Sequence, residues 1–246
     1  LIKVNAVRDL KAKVVLVGNN FDDALKESKT FCKENKVNFI HPFDDPLVIA
    51  GQGTVGMEIS EQFPENLYAV FVAVGGGGLI AGIGAYLNKV HPNVKIIGVE
   101  AADSAGLHAS VKAGKRVKLK EVGLFADGAA AKQIGKNNYE LIKNFLDDSI
   151  TVDTDEICAA VKDTFLETRT VPEPTGALAL AGLKKYISQK RIKNKNLIAT
   201  YCGSNLNFES LGHIVERSKI GEKKEIILSI ATVSYTHLTL PTTPVV

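Results

Sequence analysis

The feature that most restricts the fold is a strand, a glycine run and a helix in direct succession. Residues 68–74 (Tyr-Ala-Val-Phe-Val-Ala-Val) are almost wholly apolar, the pattern of a strand covered on both faces of a parallel sheet. Gly75, Gly76, Gly77 and Gly78 follow. Leu79 then opens a stretch to His91 in which Ile80, Ile83, Leu87 and Val90 share one helical face. Four consecutive glycines cost roughly 0.5–1 kcal/mol each relative to alanine in a regular element, an expense that suits a backbone approaching a ligand closely. Bare N–H groups in series, with a helix N-terminus behind them, make a site for a phosphate. The plainer use of such a run is a tight turn with close helix–sheet packing. Which phosphate is open at this point. Gly76-Gly77-Gly78-Leu79-Ile80-Ala81 also satisfies the dinucleotide pattern G-x-G-x-x-A, and Glu100 ends the next strand near the place of a ribose-binding acid.

Strands are expected at residues 13–17, 38–41, 68–74, 95–100, 149–152, 196–202 and 225–233, with helical patterns between them. Asn20, with Asp22 and Asp23 after it, has the composition of a helix N-cap. So does Thr154, followed by Asp155 and Glu156, for a helix running to about Arg169. This alternation predicts an α/β fold with an open, mostly parallel sheet. A chain of 246 residues, 45% hydrophobic, can bury a core as one large domain or two small ones.

The 30 basic and 27 acidic residues are evenly spread and leave a net charge of +3, which offers no surface for nucleic acid or membrane lipid. No apolar run is long enough to cross a bilayer. Leu1-Ile2-Lys3-Val4 lacks the apolar stretch and cleavage site of a signal peptide, and no initiator methionine precedes it, so we expect the chain to begin within a longer protein. Cys32, Cys158 and Cys202 are dispersed, and the five histidines form no close pair. That usage predicts the reducing cytoplasm and neither a disulfide framework nor a zinc site. Residues 234–246, rich in Thr and Pro, fit neither helix nor strand rhythm and read as a non-native cloning or adapter translation.

Further motifs follow in a fixed order. They are Phe43-Asp44-Asp45-Pro46 with Ile49-Ala50-Gly51-Gln52-Gly53-Thr54, then Val99-Glu100-Ala101, then Gly123-Leu124-Phe125-Ala126-Asp127-Gly128. Glu173-Pro174-Thr175-Gly176-Ala177 and Cys202-Gly203-Ser204-Asn205-Leu206-Asn207 complete the series. Together with the tetraglycine loop, the set resembles the threonine dehydratase (threonine ammonia-lyase) family of fold-type II pyridoxal-phosphate enzymes, whose fold is that of the tryptophan synthase β type. The likeness runs from Leu1 to about Val233.

That resemblance implies pyridoxal 5'-phosphate as cofactor, its phosphate held by the backbone of Gly75, Gly76, Gly77, Gly78 and Leu79. It places Cys202 against the pyridine nitrogen, where the family has serine or cysteine. Serine is usual in threonine dehydratases; cysteine occurs in some serine dehydratases. Gly128 and Glu173 match positions near the cofactor ring and equally suit a turn and a helix start. Some relatives hold a divalent cation through a glutamate matching Glu100 and an aspartate six residues on. Here that second position is Gly106, and no metal site is expected.

The family's Schiff-base lysine and its carboxylate-gripping loop are expected N-terminal to Leu1, so no catalytic residue is assigned within the chain. The implied activity is deamination of L-threonine to 2-oxobutanoate and ammonia by β-elimination, the first step of isoleucine biosynthesis, in a homo-oligomer of the full-length protein. A serine dehydratase or racemase is the near alternative. A nicotinamide-dependent dehydrogenase built on residues 76–81 and Glu100 is the alternative from another class. A third reading is a folded fragment that binds the cofactor weakly or not at all. The expected domains are a remnant of a smaller α/β domain with exposed apolar surface (1–50), a large cofactor-binding domain (51–222), the start of a regulatory, ACT-like domain (223–233) and the non-native tail.

Overall fold

The computed structural model describes residues 2–18, 21–63 and 65–226. Its centre is a four-stranded parallel sheet of β1 (Leu67–Ala73), β2 (Lys95–Ala101), β3 (Leu146–Val152) and β4 (Asn196–Ala199), in the spatial order β3-β2-β1-β4. Every pairing is parallel, with Val72 opposite Gly98 on one side of β1 and Phe71 opposite Ala199 on the other. Because side chains alternate across a strand, β1 serves two cores. Ala69, Phe71 and Ala73 face one cluster with α7 (Thr154–Thr168) and α8 (Pro174–Lys190). Val70, Val72 and Val74 face another with α4 (Gly78–Val90). Both alternating sets are buried, which is why the strand reads as a continuous apolar run.

The helices after β1 and β4 leave on opposite faces. α4 packs on the second cluster beside α3 (Pro46–Gln62), whereas α9 (Ser210–Gly221) packs against α7, with Ile214 in the first. The crevice between the carboxyl ends of β1 and β4 is therefore a topological switch point, the place where open α/β sheets bind ligands. α5 (Gly106–Ala113) follows β2 and α6 (Lys136–Ile142) precedes β3.

Several boundaries differ from expectation. Residues 13–17 and 38–41 are coil: a strand needs a hydrogen-bonded neighbour for its N–H and C=O groups, and the described residues provide none for these two. α1 (Ile2–Asp9) and α2 (Phe21–Asn35) bury none of their described side chains, and Leu10, Leu16, Ile40 and Leu47 are exposed. The N-cap of α7 is Asp153, not Thr154. Its Oδ1 accepts from the Glu156 N–H at 2.8 Å while Glu156 Oε2 accepts from the Asp153 N–H at 2.9 Å, a reciprocal capping box one residue earlier. Val90 closes α4 on its open side, 44% exposed, unlike buried Ile80, Ile83 and Leu87. β3 starts at Leu146, and β4 stops at Ala199, which releases residues 200–202 as a loop. Asn20 and most of residues 225–246, with the expected regulatory strand and tail, lie outside the described residues.

α3 and α4 cross at backbone contact. A Cβ placed on Gly82 would stand 2.5 Å from Gly53 N and from Ile49 O. Gly82→Val is expected to force the two helices apart and cost about 1–3 kcal/mol or more, read as a lowered midpoint in urea unfolding at unchanged slope.

Candidate active site

A cavity of about 480 Å³ opens at the switch point, lined by Gly75, Gly76, Gly77, Gly78 and Leu79 after β1 and by Cys202 after β4. Gly128, Glu173 and Thr175 close its far side. The structure thus brings together every residue that the sequence nominated for cofactor contact. A second cavity of about 540 Å³ adjoins it through Asp127 and Glu173.

The glycine loop serves two constraints at once. A Cβ on Gly75 would lie 2.8 Å from Ala129 Cα, one on Gly76 would enter the Phe43 ring, and one on Gly78 would lie 2.8 Å from the Phe43 carbonyl oxygen. Gly77 caps α4 in the left-handed region at φ 91°, and a side chain there would also press on Ile134 at 2.9 Å. Close protein packing therefore demands the glycines regardless of any ligand. The amides remain unspent: none of the N–H groups of Gly75, Gly76, Gly77, Gly78 or Leu79 donates to another described residue, while the Gly77 carbonyl accepts the first α4 bond from Ala81. Bare N–H groups at a helix start are what a phosphate needs.

The loop is held from outside by residues to which the sequence analysis assigned no role. The Gly76 carbonyl accepts from Gly135 N–H at 3.0 Å and from Asn138 Nδ2 at 2.8 Å. The same amide nitrogen of Asn138 also reaches the Phe43 carbonyl at 2.8 Å. Asp44 in turn accepts from the N–H groups of Lys136, Asn137 and Asn138 at the start of α6. No local pattern could have announced Asn138, which stands 62 residues from its partner Gly76.

On the opposite wall, Glu173 N–H donates to the Gly203 carbonyl at 3.0 Å, and a Cβ on Gly176 would collide with that same oxygen. The Glu-Pro-Thr-Gly and Cys-Gly-Ser segments are thereby locked together, with Cys202 Sγ directed at the Thr175 carbonyl at 3.8 Å. Thr175 Oγ1 is buried without a partner among the described residues. Cys202 is open to solvent along the cavity, yet protein crowds its thiol. That desolvation, with the nearby Glu173 carboxylate, raises its pKa above the ordinary 9.0 and favours the neutral thiol.

Glu100 does not line the cavity. It is 1% exposed, and its carboxylate accepts the N–H groups of Leu107 and His108, each at 2.7 Å, at the N-terminus of α5. Its oxygens are spent on the helix end, so the acid that a dinucleotide ribose would require is occupied elsewhere.

A ring of free amides at a switch point, faced by a neutral thiol and an orphaned hydroxyl, defines a protein that anchors a phosphorylated cofactor. Residues 2–203 match the family described as pyridoxal-phosphate dependent enzymes, and the chain belongs to that family. Among its relatives is a biosynthetic L-threonine dehydratase of Burkholderia multivorans, 47% identical over 232 residues, covering 93% of this chain and 46% of that protein. Among solved structures, the processed form of threonine deaminase isoform 2 from Solanum lycopersicum superposes with a TM-score of 0.86 at 41% identity, over 89% of this chain and 60% of that one. A serine racemase from Dictyostelium discoideum superposes with a TM-score of 0.74 at 30% identity, over 84% and 66%. The chain spans less than half the length of the Burkholderia relative.

The cavity fits the family's cofactor: unpartnered amides suit a phosphate dianion, and the apolar flank of Phe43 suits a flat ring. No metal-ligating cluster of His, Cys, Asp or Glu occurs among the described residues.

Two titrations follow. Burial pushes Glu100 up from 4.5 to about 7 against its backbone donors. A raised carboxyl contributes stability that is whole below pH 4.5 and is lost as the pH climbs through about 7. Glu100→Gln should remove that slope, on the order of 3 kcal/mol, in unfolding free energies measured across this window. The Cys202 thiol, kept neutral, should be alkylated by iodoacetamide at pH 8 several-fold more slowly than free cysteine, by roughly the factor its raised pKa takes from the thiolate; peptide mass spectrometry reads the rate.

Proposed function

We propose that this chain is the cofactor-anchoring part of a lyase that deaminates L-threonine to 2-oxobutanoate and ammonia, the first step of isoleucine biosynthesis, in the cytoplasm. One observation carries the reading: five successive N–H groups at a switch point, four of them on glycines, with no acceptor among the described residues. In this reading Gly75, Gly76, Gly77, Gly78 and Leu79 hold the cofactor phosphate, Cys202 meets the pyridine nitrogen, and Gly128 and Glu173 flank the ring.

Pyridoxal phosphate, when bound, supplies an electron sink for the substrate's α-carbon. The residues of this chain do the rest by position. The loop fixes the ring at one depth. The thiol of Cys202, held neutral by burial and Glu173, leaves the ring nitrogen without a carboxylate partner, which limits negative charge build-up and favours loss of the β-hydroxyl. No lysine lines the cavity among the described residues. We assign the lysine that links the cofactor, and the loop that grips the substrate carboxylate, to sequence beyond this chain, in keeping with the 46% of the Burkholderia relative that it covers.

The same reading divides the chain into a piece of a smaller domain (1–50), the large domain (51–222) and the start of a regulatory domain (223–233), with a non-native tail (234–246). The exposed apolar side chains of Leu10, Leu16, Phe31 and Ile40 support the first assignment, because apolar area on this scale is costly to leave in water. The full-length protein is proposed to be a homo-oligomer. No helix among the described residues is long and apolar enough to cross a membrane.

Cys202 in the cavity favours a second reading, a serine-directed enzyme on the same scaffold. The full-length gene product given L-threonine or L-serine separates the two by whether 2-oxobutanoate or pyruvate accumulates faster. On this chain alone, equilibrium dialysis should show pyridoxal phosphate binding at least tenfold more tightly than pyridoxal, with inorganic phosphate competing. Equal affinity for the two would sink the loop assignment, and binding of NADH in their place would restore the dinucleotide reading.

A further inference from the structure

At the amino edge of the sheet, opposite the cavity, two tyrosines sit among ammonium groups. Tyr68 of β1 accepts a hydrogen bond on its phenol oxygen from Lys95 Nζ of β2 at 3.1 Å. The same ammonium lies 4.9 Å from the Tyr68 ring centroid, and Lys195 Nζ, just before β4, lies 5.5 Å from it. Behind them, buried Tyr186 of α8 packs on Phe71 with ring centroids 5.3 Å apart. Lys190 of the same helix stands 5.9 Å from the Tyr186 ring.

Acidic groups nearby are engaged elsewhere. Asp147 Oδ2 accepts the Ile96 N–H at 2.8 Å, and Asp148 lies 4.0 Å from Lys190 Nζ. Among the described residues, neither Lys95 nor Lys195 has a carboxylate within ion-pair distance. The parallel register explains the gathering: strands paired in parallel bring all their first residues to one edge.

We propose that, among the tyrosines of the described residues, Tyr68 is the preferred site of modification by electrophiles that attack a phenolate, nitrating agents foremost, made so by the ammonium groups of Lys95 and Lys195. An ammonium donating to the phenol oxygen favours the ionised form, since it stabilises the charge that appears when the proton leaves. The hydrogen bond from Lys95, then the charge of that ammonium and the charge of Lys195, draw the Tyr68 pKa below its ordinary 10.0, against the opposing effect of desolvation. Tyr68 remains partly open to solvent, so a small reagent can reach it. This site is independent of the cofactor reading, because it lies at the far end of the strands.

Tetranitromethane is the probe. A ring carbon beside the phenolate oxygen forms a bond to one nitro group, the reagent's own C–N bond breaks to release trinitromethanide, and the displaced ring proton passes to water. With limiting reagent at pH 8, peptide mass spectrometry should find Tyr68 nitrated ahead of Tyr201, although Tyr201 is 48% exposed. The excess expected is severalfold, because a lowered phenol pKa raises the share of reactive phenolate at this pH. Lys95→Met should bring Tyr68 down to the rate of Tyr201 while leaving Tyr201 unchanged. A second measurement uses the unaltered chain alone: nitration of Tyr68 should reach half its limit at a lower pH than nitration of N-acetyltyrosinamide in the same tube. Preferential nitration of Tyr201, a Tyr68 rate indifferent to Lys95→Met, or a half-point at or above that of the free amide would each overturn the proposal.

Discussion

The arrangement of the cavity depends on how the Gly76 carbonyl is held. A peptide plane turned so that its C=O meets Gly135 N–H and Asn138 Nδ2 fixes the orientation of its neighbours. The loop's N–H groups are then left lining the crevice with no acceptor among the described residues. Asn138 ties Phe43 by the same amide nitrogen, and Asp44 caps α6 with both carboxylate oxygens. The segment before α3, the glycine loop and the start of α6 consequently behave as one unit. A buried polar group costs free energy unless it is paired, so each bond here also penalises any rotation of the loop.

The two walls of the cavity owe their rigidity to different physics. On the loop side it comes from steric exclusion: four positions where a side chain would enter Ala129, Phe43 or Ile134. On the Cys202 side it comes from a backbone bond between Glu173 and Gly203, with Gly176 pressed against the same carbonyl. No lysine stands on either wall among the described residues. What the two walls present to the cavity is a row of backbone amides on one side and a thiol held neutral on the other.

Electrostatics is divided between the two ends of the sheet. At the carboxyl end, the donors are neutral amides and a neutral thiol, and the Glu173 carboxylate lines the same cavity. At the amino end, ammonium groups gather around phenols because parallel pairing aligns Tyr68, Lys95 and Lys195 at one level. Glu100 belongs to neither end; its buried carboxylate holds the start of α5. A position that suited a ribose or a cation by spacing turned out to be a helix cap, because its carboxylate is taken by backbone N–H groups seven and eight residues later.

Much of this was determined by the sequence alone. The apolar run of β1 specifies a strand buried on both faces, and the glycines after it specify a turn without side chains; both are local, and both formed, the strand one residue earlier than expected at Leu67–Ala73. The ordered motifs carried the family and the residues of the cavity. What local pattern could not decide is whatever depends on a distant partner. Residues 13–17 and 38–41 have strand composition and no strand to pair with; Thr154 yielded the cap to Asp153 because only there do both halves of the capping box close. Asn138 and Asp44 became parts of the site only when residues far apart in sequence met across the loop. Hydrogen bonds and steric limits of that kind exist between elements, so only the tertiary structure could settle them.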